Sequence, residues 1–149
     1  MTRTSADAIE TCKASVLRGY EFRLFCMRAL NEIPGYDWSG VYRLEGETLV
    51  LDAFAGAETA HTHILVGEGV CGTAVAHDKN QVIEDVTQLD NYLSCSLDTK
   101  AEIVVLIKKD SNTIGQIDVD SHQRGAFSDQ DEQFLDSMAA LIADRWEQE

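Results

Sequence analysis

Six short strand-like segments between two amphipathic helical segments constrain the fold of this chain more than any other feature. Each strand-like segment runs for four to nine residues. Two pairs of neighbours are separated by only three or four residues, 45–47 and 110–113, and such short connections are typical of antiparallel hairpins. The pattern therefore predicts an antiparallel sheet with strands over 38–44, 48–55, 63–66, 81–85, 101–109 and 114–121.

Helical patterns occur at both ends of the sequence and once in its middle. Over residues 5–31, apolar side chains recur at three- and four-residue spacing, which predicts one helix with a single apolar stripe. Ser128 is a suitable N-cap for a second long helix, because acidic residues follow it in the first turn. A glycine-containing stretch leads into a short helix over 70–77. Together the elements predict one α+β domain over 1–149.

Composition excludes several classes of function. With 149 residues, 44% of them hydrophobic, the chain can bury the core of one ordinary domain. Its 12 Lys and Arg against 26 Asp and Glu give a net charge of −14, which argues against nucleic acid as the main partner. Since no apolar run approaches the roughly 20 residues of a membrane span, and no secretory signal opens the sequence, we expect a cytoplasmic protein without a membrane partner.

The four cysteines lack the paired spacing of a structural zinc site, so we expect no metal. Cys12 and Cys26 fall on or beside the apolar stripe and are predicted to be packing residues. Cys71 stands at the start of the short helix, where the helix N-terminus can lower a thiol pKa, although an inert buried cysteine is the more common case. Cys95 lies in a polar loop and is either a reactive thiol or incidental. The pair His61 and His63 is interpreted as a surface pair.

Alternation along the last strand separates its polar and apolar side chains. Gln116, Asp118 and Asp120 share one face, opposite an apolar set suited to a core. Trp38 and Tyr42 share a face of the first strand, with Gly40 between them, and Glu102 begins the strand that pairs with the Asp118 strand. These residues could form a pocket with an aromatic wall and a carboxylate cluster, suited to an α-ammonium group. The alternative is a solvated sheet face, which periodicity alone favours by roughly two to one.

Several segments, taken together, resemble a GAF domain along nearly the whole chain. They are 37–42 (DWSGVY), 67–74 (GEGVCGTA), 101–105 (AEIVV) and 114–121 (IGQIDVDS), followed by Phe127 and Asp129. Within that family the chain is most similar to the free methionine-(R)-sulfoxide reductases, because a second cysteine follows Cys71 by 24 residues and the Trp, Tyr, Glu and Asp-x-Asp set is present. The resemblance implies a GAF-type central antiparallel sheet, with the terminal helices on one face and a ligand pocket on the other.

The resemblance also implies roles for individual residues. Cys95 matches the attacking cysteine and Cys71 its active-site neighbour. The aromatic pair matches the wall around the methyl end of the sulfoxide, and backbone N–H groups of the Cys95 loop match the site of the substrate carboxylate. The implied residues are Cys95, Cys71, Glu102, Asp118 and Asp120 for catalysis, and Trp38, Tyr42, Leu93 and Ser94 for substrate binding.

The implied reaction is reduction of free L-methionine-(R)-sulfoxide by a cysteine thiolate, through a sulfenic acid and a disulfide. It needs no bound cofactor, only an external thiol reductant such as thioredoxin, and the resemblance suggests a homodimer. The chain departs from the family where His61 stands at the position of the common resolving cysteine. Cys71 is then the candidate to resolve Cys95, and direct reduction of the sulfenic acid by an external thiol is the other route. The residues before Cys95, and Leu106 in place of a proline, also differ. A non-catalytic GAF sensor and a structural dimerisation module are the alternative functions.

Overall fold

The computed structural model describes residues 3–89 and 98–147. Within them, six strands form one sheet in the order β3-β2-β1-β6-β5-β4, and every neighbouring pair is antiparallel. This confirms the predicted α+β class. The strands are β1 Trp38–Glu45, β2 Thr48–Ala55, β3 His63–Leu65, β4 Gln81–Ile83, β5 Ala101–Lys109 and β6 Asn112–Ser121.

The hairpin between β5 and β6 is tighter than the sequence predicts. Its loop was expected over 110–113, but β6 already begins at Asn112, so only Asp110 and Ser111 connect the strands. Both have positive φ, 53° and 69°, which is the backbone conformation of a two-residue turn matched to strand twist. The turn pairs Lys109 with Asn112, and a one-residue register shift between Ile107 and Lys108 then places Asp118 opposite Val104.

The helices are α1 Ser5–Ala14, α2 Gly19–Leu30, α3 Gly69–His77 and α4 Asp129–Asp144, and a 3-10 turn covers Val86–Gln88. The capping prediction for α4 is confirmed. The Ser128 side chain accepts a hydrogen bond from the Asp131 N–H, and the Asp131 carboxylate accepts one from the Ser128 N–H. Over the described residues, no helix combines the length and apolar character needed to cross a bilayer.

The single N-terminal helix predicted over 5–31 is wrong, because the chain breaks between α1 and α2. Ser15 is extended, with ψ 147°, and Gly19 has φ +62°. Arg145 compensates for the break: its guanidinium donates to the carbonyls of Lys13, Ser15 and Leu17, and its own carbonyl accepts from the Gly19 N–H. Val16, expected on the apolar stripe, is consequently 92% exposed.

The main apolar core lies between one face of the sheet and helices α1, α2 and α4. Ile117 and Val119 of β6 point into it and are fully buried. Cys12 and Cys26 also belong to this layer with no exposed surface, which agrees with their predicted packing role. The opposite face of the sheet carries a second, smaller core cluster, covered by α3.

Candidate active site

The polar side of β6 is buried, not open to solvent. Asp118 and Asp120 are 1% and 2% exposed, and Glu102 of neighbouring β5 is 4% exposed. The interpretation of these carboxylates as a solvated sheet face is therefore wrong. Strand alternation explains why they share a face, but it does not predict their burial, which depends on what packs over that face. Cys71 of α3 lies close to Glu102 and Asp118.

Helix α3 brings Cys71 onto the carboxylates. Gly72 lets the start of α3 pack closely on the segment that follows β3, because a Cβ there would lie 2.5 Å from the Leu65 carbonyl oxygen and 2.8 Å from the Gly67 nitrogen. The Cys71 thiol donates to Glu102 Oε2 at 3.9 Å. The Cys71 sulfur and one carboxylate oxygen each of Glu102 and Asp118 all lie within 4.8 Å of one another. We refer to these three residues as the thiol–carboxyl cluster.

Burial and charge work in the same direction at Cys71. Burial raises the pKa of its thiol well above the usual range, and the nearby Asp118, Glu102 and Asp120 raise it further. The lowered pKa expected at a helix N-terminus is thus outweighed. Burial also raises the pKa of Asp118, although hydrogen bonds with Glu102 and Cys71 oppose the shift. The cluster therefore favours a neutral thiol at Cys71 and extends the pH range in which Asp118 keeps a proton.

The two predicted aromatic residues are buried and firmly held. Trp38 stacks on Phe54 with ring centroids 5.8 Å apart, and its indole N–H donates to the Ala57 carbonyl at 2.9 Å. Its ring lies across Gly40, where a Cβ would come within 2.4 Å of the ring, so only glycine leaves this space. The Tyr42 hydroxyl donates to the His61 carbonyl at 2.7 Å.

A small cavity joins the thiol–carboxyl cluster to one of these aromatic residues. Its volume is about 10 Å³, room for about one water molecule. Trp38 and Asp120 do not border it. A larger groove of about 900 Å³ lies between β4 and α4, but the cluster does not line it, so the chemistry favours the smaller cavity as the site. The described residues lining the small cavity are Tyr42, His61, Ile64, Glu68, Gly69, Val70, Cys71, Glu102 and Asp118.

The donor set of this cluster could hold a divalent ion, because a thiol and two carboxylates are metal ligands and an open zinc site needs only three protein ligands. The expected absence of a metal therefore stays a prediction. Among the described residues, only Cys71, Glu102 and Asp118 group closely enough to be ligands of one ion. His63 is exposed, whereas His61 lines the cavity, so the two histidines are not a simple surface pair.

Three predicted site residues, Leu93, Ser94 and Cys95, lie outside the described residues. Their roles stay predictions. The residue that sequence reasoning missed is Gln116, whose side-chain N–H donates to the Cys71 carbonyl at 3.0 Å. Alternation along β6 places Gln116 on the correct face, but the contact depends on where α3 crosses the sheet.

Comparison with known proteins agrees with this fold. The family model described as "GAF domain" matches residues 26–146. A free methionine-R-sulfoxide reductase from Escherichia coli (strain K12) is 44% identical over 112 residues, which are 75% of this chain and 67% of that protein.

Two solved structures extend the similarity to three dimensions. A type II free methionine-R-sulfoxide reductase from Thermoplasma acidophilum superposes with a TM-score of 0.78 at 36% identity, covering 93% of this chain and 94% of that one. A free methionine-R-sulfoxide reductase from Neisseria meningitidis, in complex with its substrate, gives a TM-score of 0.85 at 28% identity, covering 95% and 85%. The fold, the family match and these relatives together establish that the chain belongs to the GAF domain family.

Proposed function

We propose that this protein reduces free L-methionine-(R)-sulfoxide to methionine. The observation that carries the proposal is the buried thiol–carboxyl cluster, which lines one cavity together with Tyr42. A redox thiol and a proton donor are the two groups that reduction of a sulfoxide by a cysteine requires. The similarity to reductases named for this substrate supports the same assignment.

In the proposed first step, the Cys95 thiolate attacks the sulfoxide sulfur. The attack joins the two sulfur atoms. The oxygen then migrates to the Cys95 sulfur while the sulfur–oxygen bond of the substrate and the new sulfur–sulfur bond both break, which leaves a Cys95 sulfenic acid and free methionine. The oxygen needs a proton while its bond to the substrate sulfur breaks. Asp118 is suited to supply that proton, because burial raises its carboxyl pKa and keeps the acid form present over a wider pH range.

In the second step, the Cys71 sulfur attacks the sulfenic acid at Cys95. The oxygen leaves as water, and a Cys71–Cys95 disulfide forms. The Cys71 thiol is a weak nucleophile while it holds its proton, and Glu102, which accepts the hydrogen bond from this thiol, is placed to remove that proton. An external dithiol such as thioredoxin then reduces the disulfide by thiol exchange.

The remaining predicted residues would bind the substrate. Trp38 and Tyr42 enclose the methyl end, Asp120 faces the ammonium, and N–H groups near Leu93 and Ser94 hold the carboxylate. Since the cavity has room for about one water molecule, admission of a methionine sulfoxide requires movement of its walls. A cytoplasmic location and a homodimer belong to the same proposal.

The test is NADPH consumption with thioredoxin, thioredoxin reductase and free methionine-(R)-sulfoxide, alongside the S epimer and peptide-bound sulfoxide. We expect turnover of the free R epimer only. Cys95→Ser should abolish it. With thioredoxin as the reductant, Cys71→Ser should release about one methionine per protein and then stop, because the sulfenic acid at Cys95 is not resolved. Cys12→Ala is the matched control for removing a thiol outside the site, and it should keep wild-type turnover.

The proposal fails if wild type does not reduce the free R epimer, or if Cys95→Ser is as active as wild type. Binding of methionine sulfoxide without turnover would favour the sensor alternative. A protein that neither binds nor reduces the sulfoxide would leave the structural alternative.

A further inference from the structure

Gln116 is a buried amide whose presence the packing of the sheet does not require. It has no exposed surface and lies mid-sheet, opposite Tyr42 of β1 and Leu106 of β5. Its Nε2 donates to the Cys71 carbonyl at 3.0 Å, while its Oε1 has no hydrogen-bond partner among the described residues. A buried acceptor that is left unsatisfied destabilises a fold, so an apolar side chain of similar length would suit this position better.

The bond is also unnecessary for the carbonyl that accepts it. Cys71 lies within α3, where its carbonyl has the usual partner one turn along the helix. Loss of the Gln116 amide would therefore leave no orphaned group on α3. A polar group that gives little stability is better explained by what it positions.

The hydrogen bond from Gln116 connects the backbone of Cys71 to the strand that carries Asp118. Gln116 and Asp118 are two residues apart on the same face of β6. The amide thus fixes the first turns of α3 over the strand whose carboxylate lies within 4.8 Å of the Cys71 sulfur. A helix free to shift by a fraction of an ångström would change the distances within the thiol–carboxyl cluster.

We propose that Gln116 is a positioning residue that holds Cys71 against Glu102 and Asp118, and so sets the rate at which the Cys71 thiol closes the disulfide. The inference rests on the proposed function for the role of Cys71. It concerns the resolving step, because Cys71 is a reacting group in that step and not in the attack on the sulfoxide.

The test compares Gln116→Met, which keeps the length and removes the amide, with Leu106→Met as the matched control on the same face. Hydrogen peroxide, which oxidises a thiolate to a sulfenic acid with release of water, starts the resolving step without any sulfoxide. Disulfide closure is followed by the loss of alkylatable thiols after acid quench. In parallel, methionine release is followed in a single turnover, and the Tm is measured.

For Gln116→Met we expect disulfide closure to slow by about tenfold or more, since small displacements of reacting groups have large effects on rate. Methionine release should stay within about twofold of wild type, and the Tm should be unchanged or higher. Leu106→Met should close the disulfide at the wild-type rate. In steady state, kcat should fall with little change in KM for the sulfoxide.

Closure at the wild-type rate in Gln116→Met would overturn the inference. A lowered Tm or an unfolded variant would overturn it as well, because the amide would then serve stability. If wild type releases no methionine, the proposed function fails separately. If peroxide then also produces no Cys71–Cys95 disulfide in wild type, the inference fails with it.

Discussion

The two faces of β6 are equally buried but perform different tasks. On one face, Ile117 and Val119 fill the apolar core beneath the helices. On the other, Gln116, Asp118 and Asp120 have almost no exposed surface, and Cys71 of α3 lies close to Gln116 and Asp118. Burying carboxyl groups is unfavourable, whereas burying aliphatic side chains is the main source of stability. The helix-side face thus stabilises the fold, and the pocket-side face uses part of that stability to hold reactive groups away from water.

The cysteines on the two sides of the sheet differ in the same way as the two faces of β6. On the helix side, the pKa of Cys26 is raised by its hydrogen bond with Cys12 and by burial. On the pocket side, the pKa of Cys71 is raised by burial and by carboxylates. A raised thiol pKa occurs on both faces, so it does not by itself mark a functional cysteine. The neighbours distinguish them, because only Cys71 has proton-accepting oxygens close by among the described residues.

The largest expected effect separates the two faces directly. Ile117→Ala should lower the free energy of unfolding by about 3 kcal/mol, because it leaves a cavity in the helix-side core. Asp118→Asn, one residue away, should not lower that free energy at pH 7, yet slow single-turnover methionine release about 100-fold. Urea unfolding and quenched-flow analysis measure the two quantities. Equal losses of stability in both variants would contradict the division of roles.

The pH dependence of stability should also differ between the two faces of β6. Because the pKa of Asp118 is raised in the folded state, its contribution to stability is present at low pH. That contribution is lost as the pH rises from the ordinary aspartate value of 3.8 through the raised one, by at most about 1.4 kcal/mol per pH unit. Asp118→Asn should therefore gain stability relative to wild type as the pH rises. If the free energies of unfolding of wild type and Asp118→Asn change in parallel with pH, Asp118 is not the source of this pH dependence.

The smallest expected effect lies at the edge of the helix-side layer. Val16 is 92% exposed in the connection between α1 and α2, so Val16→Ser should change the free energy of unfolding by less than about 0.5 kcal/mol. A continuous helix would bury this side chain, and the substitution would then cost about 1.5 kcal/mol or more. Thermal unfolding of Val16→Ser, compared with wild type, distinguishes the two arrangements.

Local sequence patterns predicted most of the sheet. The expected strands 48–55 and 101–109 coincide with β2 and β5, because alternation and short turns are properties of neighbouring residues. The prediction of one N-terminal helix was wrong because the chain breaks between Ser15 and Gly19, where Arg145, more than a hundred residues away, bonds the freed carbonyls. Apolar periodicity contains no information about such a partner.

The site was predictable only in part for the same reason. Strand alternation correctly separated Asp118 and Asp120 from the core residues of β6, but it favoured a solvated face. Their burial depends on what packs over that face, and the contact of Cys71 with Glu102 follows from how α3 crosses the sheet. Packing between distant segments sets this geometry, which a one-dimensional pattern does not encode. The roles of Cys95 and its loop stay predictions.

The bonds from Arg145 to the α1–α2 connection also bear on the order in which the molecule can assemble during synthesis. Arg145 follows Ser15 by 130 residues. A ribosome makes the carbonyls of the connection well before their donor, so these carbonyls have no guanidinium partner while the sheet and α3 are being made. The connection between α1 and α2 therefore reaches its final hydrogen bonding only after α4 has been made.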